Sequence, residues 1–364
     1  MNTTLTSSQT VAHPAPQVPR DRARGRLFGS LPSCVATLIA LGLALYAAGR
    51  FVDWALLNAV WPGEPGTMCR QASGACWAFL AEKFNQILFG IYPRGEHWRP
   101  ALVCVFILVM VVVSLDPRQW RLRTVGLWLA GMSAALALML GGWGGLTRVP
   151  TASWGGLPVT LLLAVCALGL GMPLGVLLAL ARRGTLPVAR FIATCVIELI
   201  RGLPLISLLF MASIVLPIML PAGVTIDSLL RAGIALTIFS AAYLAEVIRG
   251  GLQSLPAGQM EASRALGLSW WQMTRLVVLP QATRKVIAPL TNTAIVMIKN
   301  TSLVLIVGLF DLLSSGRAAL TDPAWPTPYV ETYLFIATLY FCICFGLSRY
   351  SMWLERRFKQ GEHR

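Results

Sequence analysis

Charge is what this sequence has least of. Only 12% of its 364 residues are Asp, Glu, Lys or Arg, about half the share of a soluble globular protein. So little charge cannot cover the surface of a chain this long, which excludes an ordinary soluble enzyme and any disordered or fibrous class. Histidine is nearly missing too. His13, His97 and His363 all lie outside the apolar runs, which argues against a haem-carrying or His-ligated membrane oxidoreductase. The eight cysteines form no zinc pattern, because most sit singly inside apolar segments (Cys34, Cys104, Cys166, Cys195, Cys342, Cys344) and only Cys69 and Cys76 share a loop. No metal site is expected. None of the four lysines, Lys83, Lys285, Lys299 and Lys359, follows a glycine. The phosphate-cradling loop G-x-x-x-x-G-K-[ST] is therefore absent, and the chain cannot hold ATP by that route.

What the sequence does have is apolar residues, 56% of the total, with a mean hydropathy of +0.68. They fall into runs at roughly 31–49, 100–115, 124–146, 157–181, 191–220, 229–248, 286–312 and 332–352. A helix of about 20 residues crosses the hydrocarbon layer of about 30 Å, so an all-α polytopic membrane protein with about eight spans is expected. The net charge of +15 would by itself suggest nucleic acid. The basic residues instead gather at the ends of the apolar runs, as the positive-inside rule requires, so the expected partner is membrane lipid and no nucleic acid. Counted from an inside start, twenty of the 30 Lys and Arg fall on cytoplasmic segments and about eight on the opposite side. An even number of spans then places both termini in the cytoplasm.

Residues 1–30, rich in Thr, Ser, Pro and Arg, read as a disordered cytoplasmic tail. A basic stretch before the first run also fits a cleaved signal peptide, although a small-x-small cleavage site is missing. Residues 31–150 hold three spans with a long outer loop at 51–99. In that loop Trp77, Leu80, Phe84, Ile87, Leu88 and Ile91 recur at helical spacing, which predicts an amphipathic helix lying on the outer membrane face. Cys69 and Cys76 precede it in an oxidising compartment, where they are candidates for a disulfide; the alternative is two unpaired thiols. Residues 353–364 read as a second cytoplasmic tail.

The polar stretch 249–285 is too polar to span and too regular for a linker. Its core, GQMEASRALGLSWWQMTRLVVLPQA (258–282), predicts a helix over Met260–Leu266 and a left-handed cap at Gly267. A second helix follows over Leu268–Leu279, anchored by Trp270, Trp271, Leu276 and Leu279 and closed by Pro280. Such a unit suits docking on a cytoplasmic partner. Glu261-Ala262-Ser263, then Gly267, then Leu279-Pro280 resembles the EAA loop of ABC-importer permeases, with Ser263 where that family has Ala. EVIRGGLQSLPAGQ (246–259), LPQATRK (279–285), KNTSL (299–303) and ELIRGLPL (198–205) are similar to the polar amino-acid uptake branch, which more often has Thr at the position of Leu203 and Asp at that of Asn300. The likeness covers about 155–352. The leading spans and outer loop look like the M-type subunit of the general L-amino-acid transporters.

The resemblance implies a type I ABC-importer (MetI-like) core in residues 151–352, formed by the last five spans. It implies that Gly258, Glu261, Ala262, Ser263, Gly267 and Pro280 form the coupling segment that meets an ATPase. The partners it implies are two ATPase subunits carrying ATP and Mg, a second homologous permease and a periplasmic amino-acid-binding protein. This chain would bind no cofactor and catalyse no reaction. Ionisable residues within spans cost about 2.5–3.5 kcal/mol or more at mid-bilayer and point to function on their own account. Glu198 and Arg201 stand three apart and can pair; Glu246 closes the sixth span with Arg249 a turn on; Lys299 lies near the middle of the seventh. Asn292, Lys299 and Ser302 fall near one stripe, with Asn300 and Thr301 adjoining. A zwitterionic amino acid needs a cation for its carboxylate, from Lys299 or Arg201, and an anion for its ammonium, from Glu198 or Glu246; structural ion pairs are the other reading of Glu198–Arg201 and Glu246–Arg249. The rival to an importer is a secondary transporter driven by an ion gradient, which would need inverted repeats and an intramembrane acidic relay.

Overall fold

A computed structural model describes residues 30–221 and 223–362, with side chains to 358. Residues 1–29, where most of the N-terminal tail is expected, lie outside it. The described chain forms two units. The first comprises residues up to Ala59 together with Ala72–Ala75. It is built on α1 (Leu31–Val52), capped by Ser30, whose hydroxyl accepts from the Ser33 amide at 3.3 Å. None of the α1 residues is buried, and a helix apolar on every side is one whose surroundings are apolar as well.

The second unit holds the rest. Its helices are α2 (Trp77–Phe89), α3 (Trp98–Ser114), α4 (Leu122–Leu140), α5 (Gly156–Arg183), α6 (Pro187–Gly202), α7 (Leu205–Phe210), α8 (Ser228–Gln253), α9 (Ala257–Ala265), α10 (Trp270–Met273), α11 (Leu279–Lys285), α12 (Ile287–Asn300), α13 (Leu312–Ala319) and α14 (Tyr329–Glu362). Six of the described helical segments are long and apolar enough to span a membrane: α1, α4, α5, α8, α12 with its continuation to Val307, and α14. α3 has 17 residues, which spans about 25 Å and so falls just short of a bilayer core.

The expected single span at 191–220 is instead two helices bent by 105°, Pro187–Gly202 and Leu205–Met219. The break lies at Leu203, which takes an extended conformation (φ −94°, ψ 137°), because the Pro204 ring disfavours a helical residue before it. The run at 286–312 also ends early. α12 tightens into a 3-10 segment, Thr301–Val307, which Gly308 terminates in the left-handed region (φ 78°). Asp311 then starts α13 as its N-cap. At the other end α14 continues through residues 353–362, so the described part of that tail is helical.

α5 and α8 form the central pair. A Cβ on Gly171 would stand 2.1 Å from Ser240 Oγ, and one on Gly175 would stand 3.0 Å from Ala241 O and Leu244 Cβ. Gly171 and Gly175, small residues four apart on one helix face, thus serve close packing within the chain. Gly141 and Gly145, at the same spacing, lie beyond α4 in a turn with φ of 62° and 79° and form no helical stripe. Around the pair, Val103, Ile107, Met139, Leu162, Leu209, Leu236, Phe239 and Met297 make the main apolar core.

The outer segment departs from expectation in a way that matters for the core. α2 packs against α13, α5 and α14 and buries Phe79, Lys83 and Ile87, whereas Phe84 and Ile91 are exposed. It is docked on protein through that face. Lys83 forms a salt bridge with Asp322, Arg70 donates to Pro323 O at 2.8 Å, the Cys76 amide donates to Glu331 at 2.8 Å, and Phe79 meets Trp325 edge-on. Cys69 and Cys76 are joined by a disulfide. The segment therefore grips the turn between α13 and α14.

Candidate functional site

The polar stretch after α8 forms a short hairpin with a rigid root. Leu252, Leu255, Met273, Val278 and Ala282 join Ala179 of α5, Ile197 of α6 and Ala245 and Ile248 of α8 in one buried cluster. Polar ties add to it. Arg183 donates to Leu252 O at 2.7 Å, Lys285 to Ser254 O at 3.1 Å, and Gln281 to Gln259 at 3.1 Å. α9 ends where Gly267 turns left-handed, with φ 73°. There the Gly267 amide donates to Arg264 O at 2.9 Å and the Leu268 amide to Ser263 O at 3.2 Å, which satisfies carbonyls that a helix end leaves free. A reciprocal capping box of Ser269 and Gln272 then starts α10.

The second helix does not stop at Pro280. α10 widens into a π turn, Thr274–Val278, and continues as α11 with Pro280 in its first turn. Proline cannot donate to the carbonyl four residues back and its ring collides with it in a regular helix. A π turn shifts bonding to i→i+5, as in Leu279 N–H to Thr274 O, and so makes room for the ring.

Gly258, Glu261, Ala262, Gly267 and Pro280 are exposed, and Ser263 is buried. The Ser263 hydroxyl donates to Gln259 O at 2.7 Å, so its extra oxygen over alanine is satisfied inside its own helix. At the tip Leu266, Trp270, Trp271 and Leu276 are all more than half exposed. Four large apolar side chains on one otherwise polar hairpin are the composition of a protein-docking surface.

Behind the hairpin lies a cluster of charges. Arg182, from the end of α5, reaches Glu198 on α6 at 2.7 Å and Glu246 on α8 at 3.3 Å. Glu246 also pairs with Arg249 and, at 3.6 Å, with Arg201. The expected Glu198–Arg201 pair does not form. Arg182, more than fifteen residues away in sequence, takes Glu198 instead, because the packing of α5 against α6 brings it closer than the local i, i+3 neighbour.

Lys299 and Ser302 line a cleft of about 310 Å³ with Leu313, Tyr333, Ile336, Ala337 and Tyr340. A second cleft of about 430 Å³ shares Tyr333 and carries Arg317, Ser314, Thr321 and Tyr329. Lys299 stands in the last turn of α12, near the middle of the span Ile287–Val307, exposed, and no carboxylate among the described residues lies within ion-pair distance of it. Asn292, Asn300 and Thr301 do not line this cleft, and Thr301 is buried with its hydroxyl on Ile298 O at 2.7 Å. Glu198, Arg201 and Glu246 are not among its lining residues either, so the structure separates the two sets of candidates: those three are ion-paired within the cluster that Arg182 and Arg249 complete, and Lys299 and Ser302 face open space.

Two fully buried charges were not marked by the sequence. Arg99 is fully buried, paired with Glu96 at 2.9 Å and donating to Thr147 O at 2.7 Å. Asp311, also fully buried, accepts from the Leu313 and Ser314 amides. Asp before Leu-Leu-Ser is an N-cap signal that could have located the second; nothing local marks the first.

A family model described as the binding-protein-dependent transport system inner membrane component matches residues 171–360. The inner membrane amino-acid ABC transporter permease protein YhdY of Escherichia coli K12 is 42% identical, over 93% of this chain and 92% of its own. The glutamate/glutamine/aspartate/asparagine transport system permease protein BztC of Rhodobacter capsulatus is 35% identical over 94% of each. Among solved structures, an amino acid ABC transporter crystallised with histidines matches 56% of this chain and 92% of its own, with 33% identity and a TM-score of 0.50.

Proposed function

We propose that this chain, which belongs to the family of binding-protein-dependent transport system inner membrane components, is the membrane-spanning permease subunit of an ATP-driven amino-acid importer. The observation that carries the mechanism is the hairpin from Ala257 to Lys285. It is seated in an apolar cluster, capped at Gly267, and exposes Leu266, Trp270, Trp271 and Leu276. An ATPase subunit docks there, so the exposed Glu261 and Ala262 meet it together with the apolar tip. ATP and Mg bind on two such ATPases, and this chain binds neither. Closure of the ATPases pushes the hairpin, and the spans rock between outward and inward access.

The partner across the membrane is a second, homologous permease, and a periplasmic binding protein delivers the amino acid. Both termini and the hairpin are cytoplasmic, in accord with the basic residues that flank it (Arg264, Arg275, Arg284, Lys285). The disulfide-bearing segment then faces the oxidising side. Lys299 is the cation of the translocation path that meets the substrate carboxylate, since it opens onto a cleft with no neutralising carboxylate among the described residues.

Extraction in mild detergent on a tag at the C-terminus tests the reading. Co-purification of an ATPase and a second permease in defined ratio is the expected result. If the chain instead emerges alone or as a simple homodimer, from membranes whose other complexes survive, and its uptake is abolished by an uncoupler, it is an ion-gradient-driven carrier and the proposal fails.

A further inference from the structure

The two arginines that end α5 are neighbours in sequence but hold different parts of the molecule. Arg183 joins the end of α8 to the hairpin, with one nitrogen donating to Leu252 O in the last turn of α8 at 2.7 Å and the other 3.8 Å from Met260 Sδ on α9. Arg182 turns to the spans. Its two terminal nitrogens are divided between Glu198 on α6, at 2.7 Å, and Glu246 on α8, at 3.3 Å. Glu198 lies a turn before the 105° break, and Arg201 ends the same turn with its guanidinium over the Tyr243 ring and 3.6 Å from Glu246. Direct contacts thus run from the docking hairpin through the end of α5 to the broken helix pair.

The composition of the cluster favours a switch over a lock. Three guanidiniums (Arg182, Arg201, Arg249) share two carboxylates, so one cation is always short of a full partner, and Arg201 Nε is buried with none. Glu246 can change which arginines it holds without leaving a carboxylate unpaired. Such an exchange needs little energy, and it turns a small displacement into one of a few discrete arrangements.

We propose that Arg182 and Arg183 are positioning residues that convey movement of the docking hairpin to the α6–α7 break, with Arg182 selecting the pairing of Glu198 and Glu246. The proposal rests on the importer reading. Its test uses the assembled complex, permeases with ATPases, reconstituted in vesicles with the loaded binding protein. Two rates are measured on the same sample, ATP hydrolysis and amino-acid uptake, and their ratio is compared among wild type, Arg182→Gln and Arg182→Lys. For Arg182→Gln the ATPase content should be unchanged, hydrolysis should stay within about twofold, and uptake per ATP should fall about fivefold or more, a tenfold change corresponding to about 1.4 kcal/mol of coupling. Lysine should restore only part of the loss, because one ammonium cannot serve carboxylates on two helices as a forked guanidinium does. A ratio that stays at the wild-type value, with both rates either unchanged or lowered together, overturns the proposal. If Arg182→Gln does not assemble, Glu198→Gln removes the α6 contact and leaves Glu246 with all its arginines; an unchanged ratio there is equally decisive against it. A wild-type complex that shows no ATP-driven uptake refutes the importer reading instead, so the two failures are told apart.

Discussion

Replacing Gly267 by alanine changes one methyl group, and the structure says where its cost arises. A Cβ at this position meets nothing within 4 Å, so no clash within the chain is involved. The cost is in the backbone, which is left-handed at φ 73°. An L-residue with a Cβ is disfavoured there by roughly 1–2 kcal/mol. Relaxing to negative φ gives up the Leu268 amide bond to Ser263 O, a loss of about 0.5–1.5 kcal/mol. The first route lowers the population of the docking-competent hairpin by about 5–30-fold and the second by about 2–13-fold, so a loss of about 2–30-fold is expected. The affinity of the detergent-solubilised permease for the ATPase, read by titration, should weaken by that factor in Gly267→Ala. Gly267→Asn should lose less, since asparagine tolerates this conformation. Gly267→Asp should insert normally, hold its fold and import poorly. Wild-type affinity and import in Gly267→Ala, or Asn worse than Ala, would refute the backbone argument.

Three further predictions are independent of that turn. Trp271→Ala removes an exposed tip aromatic with no cost to the fold of the chain, and should reduce capture of the ATPase by about 2 kcal/mol, near 30-fold, in the same titration. Lys299→Gln should leave the complex intact, with wild-type ATPase content, yet depress uptake by about tenfold or more; normal uptake would remove Lys299 from the path. Asp322 lies outside the spans, and the Lys83 ammonium, with the Ala324 amide, holds its carboxyl below the usual range. A depressed carboxylate stabilises the fold above its unfolded pKa of about 3.9 and ceases to as pH falls through its folded value. The gap in protease resistance of the outer segment between wild type and Lys83→Gln should therefore be full at neutral pH and close on acidification below about pH 4. A gap that stays constant into acid would mean the ion pair is not its source.

Hydropathy alone located most of the spans, because a bilayer demands long apolar runs and little else mimics them. Local signals also sufficed at Gly267, where backbone chemistry is set by one residue. Pairings chosen by packing were illegible. Glu198 has a plausible partner three residues on, and only the approach of α5 to α6 shows that Arg182 takes its place. Lys83 sits among polar neighbours that suggest a solvated face, but the α2 helix is turned so that this lysine points at Asp322. Pro280 looked like a stop because the usual rule assumes α-helical bonding, and the preceding π turn sets that assumption aside.

That π turn has a practical bearing on how distances in the hairpin can be measured. It holds one residue more than the regular turn it replaces, so side chains after Val278 are rotated by about 100° from where a 3.6-residue count from Trp270 would put them. Another π turn, Met211–Val215, has the same effect between Leu205 and Met219. Pairs of cysteines or spin labels that straddle either segment, chosen from a helical wheel, will land on the wrong sides. Labels placed wholly before or wholly after each turn will report true rigid-body motion of the helix.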